Sequence, residues 1–347
     1  MSTTNISAAS AATQVVEPPP PTRRKSRAAD LVERFGLVVL FIGVIALFTA
    51  LRPETFPTSA NFRSVALSGS VLAVVAMALI LPLVTGRFDI SVGANVGMCS
   101  IAVAAAMSDF GMSMVLAMLV ALVIGGIVGL INGLLVSYLG INSIITTLGT
   151  ATVIGGLVQA YTGGIPISAG LSPTLTNLST LLLVGLPVLF VIMLVIGAVV
   201  LLVLEHSTLG RYFAAVGSNE KAAGLTGLPT RRVVLASFVG AGLLAGVAGI
   251  LQIASQGNGN PQVGGIGFML PALAAVFLGA TTIRPGTYNL IGALVGLFFV
   301  STTISGLSLM GVEPWITDVF NGLAVIIAVG LSAIFRRRRT GVAVMGT

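Results

Sequence analysis

Residues that could perform covalent chemistry are scarce in this chain. Its one histidine, His206, cannot build a histidine-based metal site or a catalytic triad, and its one cysteine, Cys99, cannot form an intrachain disulfide. The sequence contains no Gly-x-x-x-x-Gly-Lys phosphate loop. We therefore expect a protein that is not an enzyme, binds no metal and does not hydrolyse nucleotides itself.

The acidic residues beyond the N-terminal region fall at or near the ends of long apolar stretches, as Asp89, Asp109, Glu205, Glu313 and Asp318 do. Transporters driven by proton or sodium gradients usually bury ionisable groups within their spans. The sequence therefore favours a transport path whose energy arrives from outside the membrane. A carrier or facilitator that works alone remains the alternative.

Uncharged polar residues inside the apolar stretches could bind a neutral solute weakly through hydrogen bonds to its hydroxyl groups. The candidates for such a path are Asn95, Asn132, Asn142, Thr146, Thr147, Thr150, Thr152, Gln159 and Gln252. Each could instead make a hydrogen bond between helices. We expect the cluster within residues 142–152 to face the path more than the others.

A polar motif at one end of the third apolar stretch contains Arg87, Asp89, Ser91 and Gly93. Asp89 could stabilise the start of a helix, where a carboxylate interacts favourably with the helix dipole. The functional alternative is a gate or packing element on the cytoplasmic side.

Residues 210–232 form the longest stretch after the N-terminus that cannot be buried in lipid, reading GRYFAAVGSNEKAAGLTGLPTRR. Ser218 or Asn219 can cap a short helix whose first turn carries Glu220. Gly224 and Gly227 can end that helix, and Pro229 prevents its continuation. The pattern predicts a short helix, held between two spans, that could dock in a groove of another protein or simply connect the spans.

Charges on the opposite, outer face are sparse. They are Arg52, Glu54, Arg63 and Glu313. These residues could form salt bridges with a soluble protein docking there, or they could be ordinary solvated loop charges.

Composition places these residues in a multi-pass membrane protein. Hydrophobic residues make up 56% of the chain and charged residues 8%, and its 43 glycines suit close packing of helices in lipid. The net charge of +7 comes from basic residues that flank apolar stretches, which argues against nucleic-acid binding. We place ten spans near residues 36–52, 64–85, 90–108, 112–138, 143–161, 180–204, 232–254, 267–283, 288–307 and 316–335.

The basic residues predict the orientation of these spans. With ten spans and a cytoplasmic N-terminus, 15 of the 17 Lys and Arg residues fall on the cytoplasmic side, leaving only Arg52 and Arg63 outside. Both termini are therefore expected in the cytoplasm. Residues 1–35 are expected to be a disordered tail, residues 36–335 the membrane domain with a loop at 206–231, and residues 336–347 a basic tail.

An internal repeat is indicated by two stretches that place similar residues in a similar order. Residues 132–147 read NGLLVSYLGINSIITT and residues 305–318 read SGLSLMGVEPWITD. Upstream, Arg87 with Gly93 and Gly97 resembles Arg284 with Gly292 and Gly296. Matching spans two to five with seven to ten gives an odd offset, which predicts an inverted repeat.

Four motifs together resemble one family of membrane proteins. They are GRYFAAVGSNEKAAGLTG at residues 210–227, TGRFDISVGA at 85–94, NGLLVSYLG at 132–140 and TTLGT at 146–150. In this order they resemble the permease subunits of ribose-type sugar ABC importers, over about residues 36–335. Residues 265–287 depart from the family pattern at Pro271, Ala280 and Arg284–Pro285.

The resemblance implies a function and a set of partners. The chain would be an all-α permease of the bacterial inner membrane, a homodimer around a shared path for a monosaccharide or related polyol. A cytoplasmic sugar ABC ATPase would bind ATP and Mg, and a periplasmic sugar-binding protein would deliver the solute. The segment that contacts the ATPase would comprise Ser218, Asn219, Glu220, Lys221, Ala222, Ala223, Gly224 and Gly227. Small alanine side chains there would allow close docking.

Overall fold

The structure is a computed structural model that describes the backbone of residues 27–340 and the side chains of residues 34–265 and 267–332. The helices are α1 (Arg27–Leu51), α2 (Ser59–Val84), α3 (Ser91–Ser108), α4 (Met114–Ser137), α5 (Ser143–Thr162), α6 (Pro173–Thr176), α7 (Val188–Leu201), α8 (Thr208–Ser218), α9 (Glu220–Leu225), α10 (Thr230–Gln256), α11 (Gly265–Gly279), α12 (Leu290–Leu309) and α13 (Pro314–Thr340).

Within the described residues, nine helical stretches are long and apolar enough to cross a membrane, namely those of α1–α5, α7, α10, α12 and α13. The shorter α11 is also apolar, and it lies where the eighth span was expected. The predicted class, an all-α polytopic membrane protein with about ten spans, is confirmed.

The expected boundaries of both tails differ from the structure. Helix α1 begins at Arg27, inside the segment expected to be a disordered tail, and α13 continues through Arg336 into the expected basic tail. Residues 1–26 and 341–347, with Arg23, Arg24 and Lys25, lie outside the described residues.

The sixth span is shorter than expected because its first residues form a hairpin. Strands β1 (Leu182–Leu183) and β2 (Leu186–Pro187) pair in antiparallel fashion around Val184 and Gly185, which both have positive φ. Helix α7 follows, and a wider π-type turn, Leu202–His206, ends it. The residues of the hairpin are as apolar as those of a span. The start of the sixth span was therefore predicted too early in the sequence.

Helix α2 lies at the centre of the bundle. It packs against α7, α10, α11 and α12, and most of its residues from Gly69 to Leu83 are buried. The small residues of α2 permit this position, since Gly69 faces the ring of Phe298 with no room for a side chain.

Glycines bring α4 and α10 into backbone contact. A Cβ on Gly125 or Gly129 would overlap the α10 carbonyl oxygens of Gly242 or Phe238, and a Cβ on Gly242 would overlap the carbonyl of Gly125. Such close packing replaces the hydrophobic effect as the source of helix association in lipid. Glycines make similar close contacts elsewhere, since a Cβ on Gly296 of α12 would overlap the carbonyl oxygen of Ala275 in α11.

Packing supports the inverted repeat. In the repeat, α2, α3, α4 and α5 correspond to α10, α11, α12 and α13. Helix α10 packs against α3 and α4, and in the same way α2 packs against α11 and α12. The contact of α3 with α5 corresponds to the contact of α11 with α13. One detail of the sequence comparison is wrong: Arg87 lies between α2 and α3, whereas Arg284 lies between α11 and α12. Those two arginines are therefore not equivalent, because the helices that precede them occupy different positions in the repeat.

Candidate coupling and transport site

Two short helices, α8 and α9, connect the π-type turn to α10, and side chains cap both. Ser207 Oγ accepts a hydrogen bond from Gly210 N at 3.2 Å, and Asn219 Oδ1 accepts one from Ala222 N at 3.0 Å. Of the two predicted caps of the second helix, the structure uses Asn219, and Ser218 ends α8 instead. Gly227 follows the helix with φ +84°, as a helix terminator should, whereas Gly224 lies within the helix.

One face of α9 is packed and the other is open. Ala223 is buried with 5% of its surface exposed, whereas Leu225 is 90% exposed. Lys221 and Ala222 are also exposed. The expectation that both alanines are free to enter a partner's groove is therefore wrong for Ala223, which packs within its own chain.

The end of α8 is pressed against the end of α2. A Cβ on Gly217 would overlap the carbonyl oxygen of Val84, and Gly86 also lies beside Gly217. Because the contact is backbone to backbone, α8 cannot shift without moving the last turn of α2.

An ion pair joins α9 to the connection between α2 and α3. Arg87 Nη2 donates to Glu220 Oε2 at 2.6 Å, with side chains 33% and 42% exposed. In the sequence, these residues belong to two separate motifs, and their pairing was not predicted. They are 133 positions apart, and no local pattern signals a contact of that kind.

A second ion pair lies nearby. Arg284 donates to both carboxylate oxygens of Glu205, at 3.0 and 3.1 Å. Glu205 lies in the π-type turn before α8, and Arg284 lies between α11 and α12. The segment that contains α8 and α9 therefore makes two ion pairs. Glu205, before α8, pairs with the second half of the repeat, and Glu220, in α9, pairs with the first half.

Behind Arg87, a chain of buried hydrogen bonds crosses to α4 and α5. Asp89 Oδ1 accepts from Ser91 N at 2.9 Å and from Ser91 Oγ at 2.6 Å. Asn132 donates to Ser91 Oγ at 2.7 Å, and Thr150 donates to Asn132 Oδ1 at 2.7 Å. Burial raises the pKa of Asp89 to about 6, although both bonds from Ser91 act in the opposite direction.

The backbone of the same connection is fixed to α5. Phe88 N donates to Ser143 Oγ at 3.2 Å, and Ile90 N donates to Thr147 Oγ1 at 3.0 Å. The ring of Phe88 stacks on Phe277 of α11, with centroids 5.9 Å apart. Three of the motifs found in the sequence therefore meet at this connection, and the ion pair of Arg87 adds the fourth.

The residues proposed for the solute path differ in their surroundings, and some of them make hydrogen bonds within the chain. Asn95 is buried and donates to the carbonyl of Gly125 at 3.3 Å, and Gln252 is buried in α10. Asn142 caps α5 by accepting from Ile144 N at 2.9 Å. The hydroxyl of Thr146 is buried without a hydrogen-bond partner among the described atoms.

Gly93 of the polar motif faces the backbone of Gly265 with no space for a side chain.

The exposed face of α5 opposite its buried stripe is polar and small. At helical spacing it presents Gly149, Thr152, Gly156 and Gln159, all exposed. The two glycines have open space where a side chain would begin, because no atom of the described residues lies within 4 Å of that position. Ile145 lies one turn before Gly149 and is 68% exposed, so the same face is apolar at its start and small and polar from Gly149 onward.

The four charges expected on the outer face are all exposed. Arg52 donates to the carbonyl of Met310 at 3.4 Å, which brings the end of α1 to the end of α12, and Glu313 accepts from Trp315 Nε1 at 2.7 Å. Glu54 and Arg63 lie on either side of the start of α2. Their role in docking stays a prediction.

The fold and the site together define a multi-pass transport protein in which two short helices, α8 and α9, lie at one end of the bundle. The family model described as branched-chain amino acid transport system, permease component, matches residues 61–329. The chain belongs to this family of permease components.

Relatives with known names agree with that assignment. The autoinducer 2 import system permease protein of Enterobacter sp. (strain 638) is 35% identical, over 86% of this chain and 87% of the relative. The ribose import permease protein of Escherichia coli (strain K12) is 29% identical over 87% and 94%, and the D-allose transport system permease protein of the same strain is 26% identical over 88% and 93%. The resemblance drawn from the four motifs is confirmed. No solved structure matches this chain.

Proposed function

We propose that this chain is the membrane subunit of an ABC importer that moves a monosaccharide or related polyol into the cytoplasm. The observation that carries the proposal is the similarity along most of the chain to permeases named for ribose, D-allose and autoinducer 2. The weak polar groups along α5 suit a solute with several hydroxyl groups.

The energy comes from a separate ATPase, which binds ATP and Mg and docks on α9. Two features of α9 support this role: its exposed face contains an apolar residue, Leu225, and its length is fixed by a cap and a terminator. A short rigid helix with one protruding apolar side chain suits a groove in a partner. A periplasmic sugar-binding protein delivers the solute to the opposite face, where Arg52 and Glu313 lie.

The chain lies in the bacterial inner membrane with both termini in the cytoplasm. The distribution of its basic residues supports this orientation. Arg87, Lys221 and Arg284 belong to connections at the end of the bundle that carries α8 and α9, and Arg231 lies in the first turn of α10 at the same end. The stand-alone carrier is not favoured, since the relatives include proteins named as probable ABC transporter permeases.

Reconstitution tests this function. Liposomes that contain the chain with its ATPase should take up the sugar only when binding protein and ATP are both present, and collapsing proton and sodium gradients should not reduce the uptake. A chain mixed with an ATPase carrying an inactivated hydrolysis site is the matched control. Uptake by the chain alone, driven by an ion gradient, would replace this proposal with the carrier.

Two copies of the chain form the shared path, with the polar face of α5 turned toward it. That face supports the arrangement because Gly149 and Gly156 have open space where a side chain would begin, within the described residues. Thr152 is exposed beside them, and its hydroxyl donates to the carbonyl of Leu148 in the same helix at 3.0 Å.

Cysteine labelling tests the orientation of α5. Thr152→Cys and Gly156→Cys should react with a water-soluble, membrane-impermeant maleimide, and solute with binding protein should change the rate. Val153→Cys, on an apolar and exposed flank of the same helix, should stay unlabelled because lipid covers it. The native Cys99 is fully buried and gives little background. Labelling of Val153→Cys alone would show that the polar face does not line the path.

A further inference from the structure

The connection between α2 and α3, residues 85–90, contacts an unusual number of elements for its length. Arg87 pairs with α9, Phe88 stacks on α11, and the amides of Phe88 and Ile90 are held by side chains of α5. Asp89 is linked through Ser91 to Asn132 of α4. A displacement of this short connection therefore reaches both halves of the inverted repeat.

The contact of Arg87 with Glu220 is suited to transmitting such a displacement. It is a short charge-assisted hydrogen bond between single atoms, and its carboxylate belongs to the first residue of α9. Ion pairs exposed to this degree add little to folding stability. We therefore interpret the pair as a contact that sets the position of α9 relative to residues 85–90. The Nε atom of Arg87 is buried without a hydrogen-bond partner among the described residues, which leaves the guanidinium free to change its contact as α9 moves.

The second ion pair fixes the other end of the segment. Arg284 holds Glu205 through two parallel hydrogen bonds, a more restrictive geometry than the single bond of Arg87. The π-type turn before α8 is thus anchored to the connection between α11 and α12, and α9 is the end with the looser tether. A movement of α9 therefore acts on residues 85–90 through Arg87, in addition to the backbone contact of α8 with the end of α2.

We propose that Arg87 is a positioning residue that carries the movement of α9 to the connection between α2 and α3, and from there through Asp89, Ser91, Asn132 and Thr150 to α5. The proposal rests on the proposed function, because it assumes that an ATPase moves α9. It adds a specific intramolecular route from the docking helix to the helix with the polar exposed face. The step from Arg87 to Asp89 runs along the backbone through Phe88, and each of the other steps is a hydrogen bond of 2.7 Å or less.

Charge reversal tests the route. Arg87→Glu and Glu220→Arg each place like charges together, whereas the double variant restores an opposite pair in the reverse order. Each single variant should lower sugar uptake per ATP hydrolysed by about tenfold, as expected for neighbouring residues with strong energetic coupling, and the double variant should recover most of that loss. Co-purification of the ATPase with Arg87→Glu should be unchanged, because Arg87 lies outside α9.

Lys221→Glu is the matched control, since it reverses an adjacent exposed charge without touching the pair. It should affect association with the ATPase rather than the ratio of uptake to hydrolysis. If the single reversals do not reach the membrane, Glu220→Gln keeps the shape and removes the charge, and it should lower the same ratio by several-fold. Normal uptake in Arg87→Glu, or no recovery in the double variant, overturns the proposal. Failure of the unmodified chain to bind any ATPase would instead reject the proposed function.

Discussion

Replacing Leu225 by Asp is expected to abolish sugar uptake and to weaken association with the ATPase by about thirtyfold or more, the loss typical of a central interface residue. Leu225 is 90% exposed at the end of α9, so its side chain makes almost no contact within its own chain. An apolar side chain presented in this way by a capped helix stabilises a complex only when a partner covers it. A carboxylate at the same place would be desolvated without a counter-charge.

Two variants make this result specific to docking. Val184→Asp changes an equally exposed apolar residue, 96% accessible, at the tip of the hairpin that precedes α7, and it should leave association with the ATPase unchanged. Ala223→Arg should instead lower the yield of folded protein, because Ala223 is buried. Co-purification followed by binding-protein-stimulated ATP hydrolysis measures the effect. Normal association of Leu225→Asp would show that α9 is only a connector.

Replacing Gly217 by Ala is expected to destabilise the chain by about 1–3 kcal/mol, the usual range for adding a methyl group where no space exists. The new Cβ would overlap the carbonyl oxygen of Val84, which is backbone and cannot rotate away. The end of α2 or the whole of α8 must therefore move. Thermal unfolding in detergent measures the loss, and uptake should fall with it.

Gly224→Ala is the control for Gly217→Ala. A Cβ on Gly224 would lie 4.0 Å from the nearest atom, the methyl group of Thr230, so the same chemical change has room. Alanine also favours a helix over glycine by about 1 kcal/mol, so this variant should unfold at the same or a higher temperature. Equal stability of the two variants would show that α8 and α2 are not in rigid contact.

The sequence predicted the fold well because lipid restricts what apolar stretches can do. The spans and their order follow from hydropathy, and the cap at Asn219 and the terminator at Gly227 follow from local backbone rules. The match of Gly93 and Gly97 with Gly292 and Gly296 is wrong, because these pairs lie in α3 and α12, which are not equivalent in the repeat. Helix α8 was not predicted, because GRYFAAVGS contains two glycines and no pattern that separates it from a loop. The burial of Ala223 depends on the packing of α9 against its own chain.

The candidate path was the least predictable part of the site. A polar residue in a span can bind solute or can form a hydrogen bond with a neighbouring helix. The residue types at positions such as Asn95 and Asn132 do not show which of these two roles applies. The structure places both in contacts between helices, whereas Thr152 and Gln159 project from an open face. Tertiary packing brings together long-range pairs such as Arg87 and Glu220. A single sequence contains no periodic pattern from which such a pair could be predicted.

The central position of α2 has a consequence for how the protein is made. Every helix that covers α2 closely, from α7 to α12, is synthesised after it. The nascent α2 must therefore wait in the bilayer or with the insertion machinery until more than half of the chain has emerged. Chains that stop before α10 leave bare the surface of α2 that α10 would cover, and they should be recognised and degraded by membrane quality control.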